Sequence, residues 1–142
     1  MINICLAESE EQICRCFPVM AELRPHVLER EFVERVRRQQ QEDGYHLAFV
    51  AESGAVRAVA GFRFAEFLAW GRILYVDDLV TASAERSRGH GQALFAWLVA
   101  RAKANGCAQL HLDSGVQRFD AHRFYLRQRM SITAHHFALE LS

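Results

Sequence analysis

The sequence predicts a mixed α/β fold: one mostly antiparallel sheet with helices on both faces and a single parallel strand–helix–strand unit. Three observations carry this expectation. Strand-like and helix-like runs follow in the order strand, two helices, three strands, helix, strand, helix, strand. Ser53-Gly54 separates two runs rich in β-formers, which is a strong antiparallel hairpin signal. Residues 72–80, 89–105 and 107–113 read as strand, helix and strand, and such a crossover is right-handed and parallel.

Residues 2–6 (INICL) are expected to open the sheet. Residues 7–22 and 27–41 follow as helices, the second with Leu28, Phe32, Val33 and Val36 as an apolar stripe on a charged surface. Asp43-Gly44 stops it. Residues 45–52, 55–67 and 72–80 read as three consecutive strands. The helix over 89–105 is apolar nearly all round (Ala93 to Ala100), so deep packing is expected, and Gly106 closes it. A strand at 107–113, a short helix at 119–129 and a last strand at 131–141 complete the chain.

With 142 residues, no repeat, no low-complexity stretch and no linker, residues 1–142 read as a single domain. Seventeen basic and seventeen acidic residues give a formal charge of zero, which disfavours a globally basic nucleic-acid binder. No apolar run approaches the ~18 residues of a membrane span, and the first residues lack a signal-peptide pattern, so a cytoplasmic protein is expected. Cys5, Cys14, Cys16 and Cys107 form no C-x-x-C pair, and the histidines are scattered. Reduced thiols and no metal site follow.

The basic residues are unevenly spread. Residues 86–112 hold Arg86, Arg88, Arg101 and Lys103 and no acid. Within this stretch Arg86-Ser87-Arg88-Gly89-His90-Gly91-Gln92 leads from a polar connection into the apolar helix. A helix's first turn presents unpaired N–H groups and a partial positive charge; glycines let a phosphate approach and arginines add charge. The alternative is that Gly89 and Gly91 serve only close packing of the helix. The arginines and the strand–turn–helix context favour a phosphate- or pyrophosphate-binding turn. No Gly-Lys pair exists for a Walker A loop, and Leu94 stands where a dinucleotide fingerprint needs its third glycine.

Arg86-x-x-Gly89-x-Gly91 resembles the [QR]-x-x-G-x-[GA] motif of the GNAT superfamily of acyl-CoA-dependent N-acetyltransferases. Asp77-Asp78-Leu79-Val80-Thr81 is similar to that family's cofactor-lining strand, and Ala121-His122-Arg123-Phe124-Tyr125 to its A-x-x-F-Y element. The predicted element order also matches the family fold over most of the chain. Two departures stand out: Arg118 where the family often has Asn, and Arg129-Met130 where it often has Gly-Phe.

The resemblance implies acetyl-CoA as cosubstrate and an amine as acceptor, without nucleic acid or membrane. It implies that the backbone of Arg86, Ser87, Arg88, Gly89, His90, Gly91 and Gln92 holds the pyrophosphate. Backbone groups of Leu79, Val80 and Thr81 would pair with the pantetheine arm, and an N–H near Leu79 or Val80 would polarise the acetyl carbonyl. Tyr125 would protonate the departing thiolate. An alternative is a non-catalytic acyl-CoA-binding regulatory module.

Attack requires a neutral amine, so a base is needed. Asp77, Asp78, Glu66, His111 and Asp113 are candidates. Asp77 and Asp78 face opposite sides of a regular strand unless a bulge intervenes. Asp78 shares parity with Leu74, Val76 and Val80, an apolar setting that favours it as the base. The competing reading is a sheet carboxylate paired with an arginine. Phe62, Phe64, Phe67 and Trp70 either line an acceptor pocket or pack the core. A homodimer through the last strand or an edge strand is compatible with the sequence.

Overall fold

The computed structural model describes residues 2–85 and 88–142. The elements are β1 (Ile2–Leu6), α1 (Glu10–Leu23), α2 (Glu29–Glu42), β2 (His46–Glu52), β3 (Ala55–Phe67), β4 (Gly71–Thr81), α3 (His90–Ala104), β5 (Gln109–Leu112) and α4 (Phe119–Arg127), with a short 3-10 turn at Ser83–Glu85. The five strands form one sheet in sequence order, antiparallel from β1 to β4 and parallel between β4 and β5. The chain divides into two compact units, residues 1–111 and 112–142.

Local sequence explains most of these elements. Ser9 caps α1 through a capping box: its side chain accepts from the Gln12 N–H, and the Gln12 side chain accepts from the Ser9 N–H. Glu10 and Glu11 add favourable charge in the first turn. The β2–β3 turn has positive φ at both Ser53 and Gly54, the twist a two-residue hairpin needs.

In the first unit the sheet is packed on both sides. On one side α1 and α2 set Ile13, Cys16, Val19, Met20, Phe32 and Val36 against Leu47, Phe49, Val59 and Val80. On the other, α3 buries Leu94, Phe95, Leu98 and Ala102. The deep packing expected of α3 holds on one face only. Gln92, Ala96 and Ala100 are exposed, because only one face meets the sheet and alanine tolerates the solvent side.

Two further expectations change. Residues 131–141 form no strand: they take part in none of the sheet's pairings, and Ile132, Phe137, Leu139 and Leu141 are between 77% and 90% exposed. Alternation supplies a strand with a face, but its stability comes from a neighbour's ladder of hydrogen bonds. The second change concerns β4. Val76 pairs with Phe62 while Asp78 pairs with Gly61, so Asp77 is the extra residue of a bulge. Asp78 therefore does not share a face with Leu74 and Val76.

Candidate active site

The bulge puts both carboxylates within reach of basic side chains. Asp78 Oδ1 accepts from Arg24 Nε at 2.8 Å, and its Oδ2 accepts from the Tyr45 hydroxyl at 2.9 Å. Asp77 is gripped by the fork of Arg63, with Nε 3.1 Å from Oδ1 and Nη2 on Oδ2. Arg63 also lies over the Tyr45 ring, 5.5 Å from its centroid, and donates to Gln39 of α2 at 3.1 Å. Burial raises the Asp77 carboxyl above its usual range, opposed by the Arg63 hydrogen bond and charge. Burial, then the charge and hydrogen bond of Asp78, push the Tyr45 phenol well up, so Tyr45 stays a donor. Both aspartates are paired with an arginine, and on Asp78 lone-pair sites remain beyond the contacts with Arg24 and Tyr45.

Other base candidates sit elsewhere. Glu66 is exposed and pairs in register with Arg72, six residues along β4 from Asp78, or ~20 Å at the usual strand rise. His111 lies against Trp70 in a tilted contact, ring centroids 4.1 Å apart, with its Nε2 2.6 Å from Gln109 Oε1. Asp113 lies beyond the end of β5, with its Oδ1 3.3 Å from His136 Nδ1. Phe62 is fully buried and packs with His46, Phe64 and Trp97, so it belongs to the core under α3. Phe67 and Trp70 are exposed near the tip of the β3–β4 hairpin.

The outer edge of β4 is long and its partner short. The Ala108 N–H donates to the Arg72 carbonyl, and β5 then runs four residues to Leu112. A parallel strand of that length starting beside Arg72 reaches about Val76. Past the bulge, Leu79, Val80 and Thr81 pair with β3 on one side only within the described sheet. Val80 turns its side chain into the α1–α2 core, while Thr81 faces the start of α3.

The α3 N-terminus is open. Gly89 is its N-cap, with φ +86°, a left-handed conformation that favours glycine, and open space where a side chain would begin. Gly89 supplies no side-chain cap, among the described residues no other side chain caps this end, and no acid lies in the first turn. Gly91 serves packing: a Cβ there would sit 2.9 Å from Thr81 Oγ1. Arg88 and Gln92 are exposed. His90 is buried, with its imidazole Nε2 3.0 Å from Glu52 Oε1, leaving its backbone N–H in the helical turn. That contact, chiefly the hydrogen bond, lowers the Glu52 pKa. Arg86 and Ser87 lie outside the described residues. Uncapped donors, a glycine cradle and an open strand edge fit an extended ligand ending in a diphosphate.

In the second unit Tyr125 is half-buried on α4. Burial raises its pKa, opposed by the charge and hydrogen bond of Arg118, the N-cap residue of that helix. Arg118, noted in the sequence only as a departure, thus bears directly on the Tyr125 hydroxyl.

A bulged β4 beside a helix start opened by glycine fits the acyl-CoA site that the family resemblance implies, and comparison with known proteins identifies the family. Residues 9–129 match the acetyltransferase (GNAT) family, and the chain belongs to that family. It is 34% identical over 125 residues to the uncharacterized N-acetyltransferase YhdJ of Bacillus subtilis (strain 168), covering 88% of each chain. Among solved structures, a transcriptional regulator from Bacillus halodurans C-125 superposes with a TM-score of 0.87 at 20% identity, over 99% of this chain and 100% of that one. The aminoglycoside N-acetyltransferase AAC(6')-Iy, solved in complex with CoA, gives a TM-score of 0.87 at 11% identity, over 99% and 95% of the two chains. The protein is an acetyl-CoA-dependent acyltransferase.

Proposed function

We propose that the protein transfers the acetyl group of acetyl-CoA to a primary amine of a small molecule or protein, by direct attack in a ternary complex. The carrying observation is the uncapped, acid-free start of α3 beside the open edge of Leu79–Thr81. Acetyl-CoA supplies the activated acyl carbon that the amine attacks, forming the amide and releasing the CoA thiol.

The chain's own groups divide the work. Backbone N–H groups of Arg86, Ser87, Arg88, Gly89, His90, Gly91 and Gln92 hold the diphosphate, and those of Leu79, Val80 and Thr81 hold the pantetheine arm. An N–H near Leu79 or Val80 meets the charge that develops on the acyl oxygen. Asp78 takes the amine proton: Arg24 and Tyr45 occupy two of a carboxylate's roughly four lone-pair sites, leaving sites for an incoming N–H. Tyr125 gives its proton to the departing thiolate; its raised pKa keeps that proton in place at neutral pH.

The reading takes residues 1–142 as one cytoplasmic transferase domain and extends to a homodimer. Residues 131–141 alternate apolar and polar side chains, lack a strand partner and expose four large apolar groups. A second copy offers the same segment, so pairing about a two-fold axis is self-complementary. Light scattering of the full chain should give twice 16.2 kDa, and a chain ending at Met130 should run as a monomer.

The direct test is a panel of amines with acetyl-CoA, following thiol release. An accepted amine should release thiol, and Tyr125→Phe should slow that release at unchanged acetyl-CoA affinity. Acetyl-CoA binding with no thiol release from any amine class would contradict the transfer.

A further inference from the structure

The β4 bulge is held by residues far from it in sequence. Arg24, the C-cap of α1, places Nη2 2.9 Å from the Asp77 carbonyl oxygen while its Nε takes Asp78 Oδ1. A bulge leaves backbone groups outside the ladder, and here Arg24 satisfies the carbonyl of the extra residue. Peptides are planar, and no cis bond occurs among the described residues. Fixing the Asp77 oxygen therefore fixes the opposite direction of the Asp78 N–H and the phase at which Leu79 resumes the strand.

Tyr45 provides the second hold. It precedes β2, is 5% exposed, and reaches Asp78 Oδ2 by crossing the backbone of β3 at Gly61. A Cβ on Gly61 would land on the Tyr45 hydroxyl and its ring carbon. Glycine inside a strand weakens it unless another group must come close, and here that group is the tyrosine. Gly61 is also the register partner of Asp78, so the opening in β3 lies opposite the carboxylate it serves.

We propose that Arg24, Tyr45 and Gly61 are positioning residues that lock the Asp77–Asp78 bulge, so that the N–H groups following it are preset against the acyl oxygen. The proposal rests on the assignment of that oxygen to Leu79 or Val80. Preset donors stabilise developing charge because they need no reorganisation during the reaction, and a displacement near 1 Å costs ~100-fold in rate. None of the three residues needs to touch acetyl-CoA.

Tyr45→Phe keeps the ring over Gly61 and removes only the hydroxyl; Arg24→Met removes the guanidinium from a half-buried position, and Arg24→Lys restores charge without the two-point geometry. Isothermal titration and the carbonyl stretch of bound [1-13C]acetyl-CoA separate position from fold. The parent should lower that stretch relative to free acetyl-CoA. Tyr45→Phe and Arg24→Met should return it toward the free value at affinities within about threefold of the parent, with Arg24→Lys intermediate. A parent stretch equal to the free value would remove the carbonyl assignment and the proposal with it. A lowered stretch that survives in both variants would overturn the lock alone.

Discussion

At the start of α1 the chain satisfies its own backbone, with Ser9 and Gln12 bonded reciprocally and Glu10 and Glu11 answering the helix dipole. At the start of α3 it does none of this: Gly89 has no side chain to cap with, the first turn holds no acid, and Arg88 precedes it. Both helices then pack against the same sheet, so burial does not explain the difference. A glycine N-cap forgoes only a few tenths of a kcal/mol relative to a serine. The α3 start keeps its donors available and its field positive, which is what a diphosphate requires.

The contrast can be broken most severely at Gly89. Gly89→Val forces a β-branched residue into a left-handed conformation, a strain of ~1–3 kcal/mol, in a position with no steric neighbour. The turn should relax instead, and acetyl-CoA affinity measured by titration should fall at least ~30-fold. Gln92→Glu gives α3 the kind of acid that α1 carries. Melting temperature should hold or rise, since a first-turn carboxylate adds ~0.3–1 kcal/mol, while acetyl-CoA affinity drops roughly tenfold.

The reverse change, Ser9→Ala, should cost about 1 kcal/mol, or roughly 3 °C in melting temperature, and leave acetyl-CoA affinity unaltered. The smallest effect concerns Glu52, which holds His90 at the α3 start. Its folded pKa is depressed, so its stabilising contribution is present above the unfolded glutamate value and is lost as pH falls through the folded one. Glu52→Gln should therefore narrow the gap between melting temperatures at neutral and acidic pH.

Much of this was readable because local chemistry wrote it. Ser53-Gly54 announced a hairpin whose turn has the required positive φ, and the Gly89–Gly91 motif stood on the predicted helix. What sequence reasoning lost depended on pairing. The alternation of residues 131–141 read as a strand, but a face without a neighbouring ladder stays irregular. Parity along 72–80 put Asp78 with Leu74 and Val76, and one inserted residue at Asp77 reversed that. Arg24 and Tyr45 lie 54 and 33 residues from Asp78, beyond any local pattern. Gly61, a lone glycine within a β-rich run, was the available signal for a close approach.

Amide chemical shifts of 15N-labelled protein titrated with acetyl-CoA compare the two helix starts in one experiment. Gly89, His90, Gly91 and Gln92 should shift most, with Leu79 to Thr81 beside them, while Ser9 to Gln12 stay in place. Shifts gathered elsewhere, or equal at the two helix starts, would contradict an acetyl-CoA site built on the open end of α3.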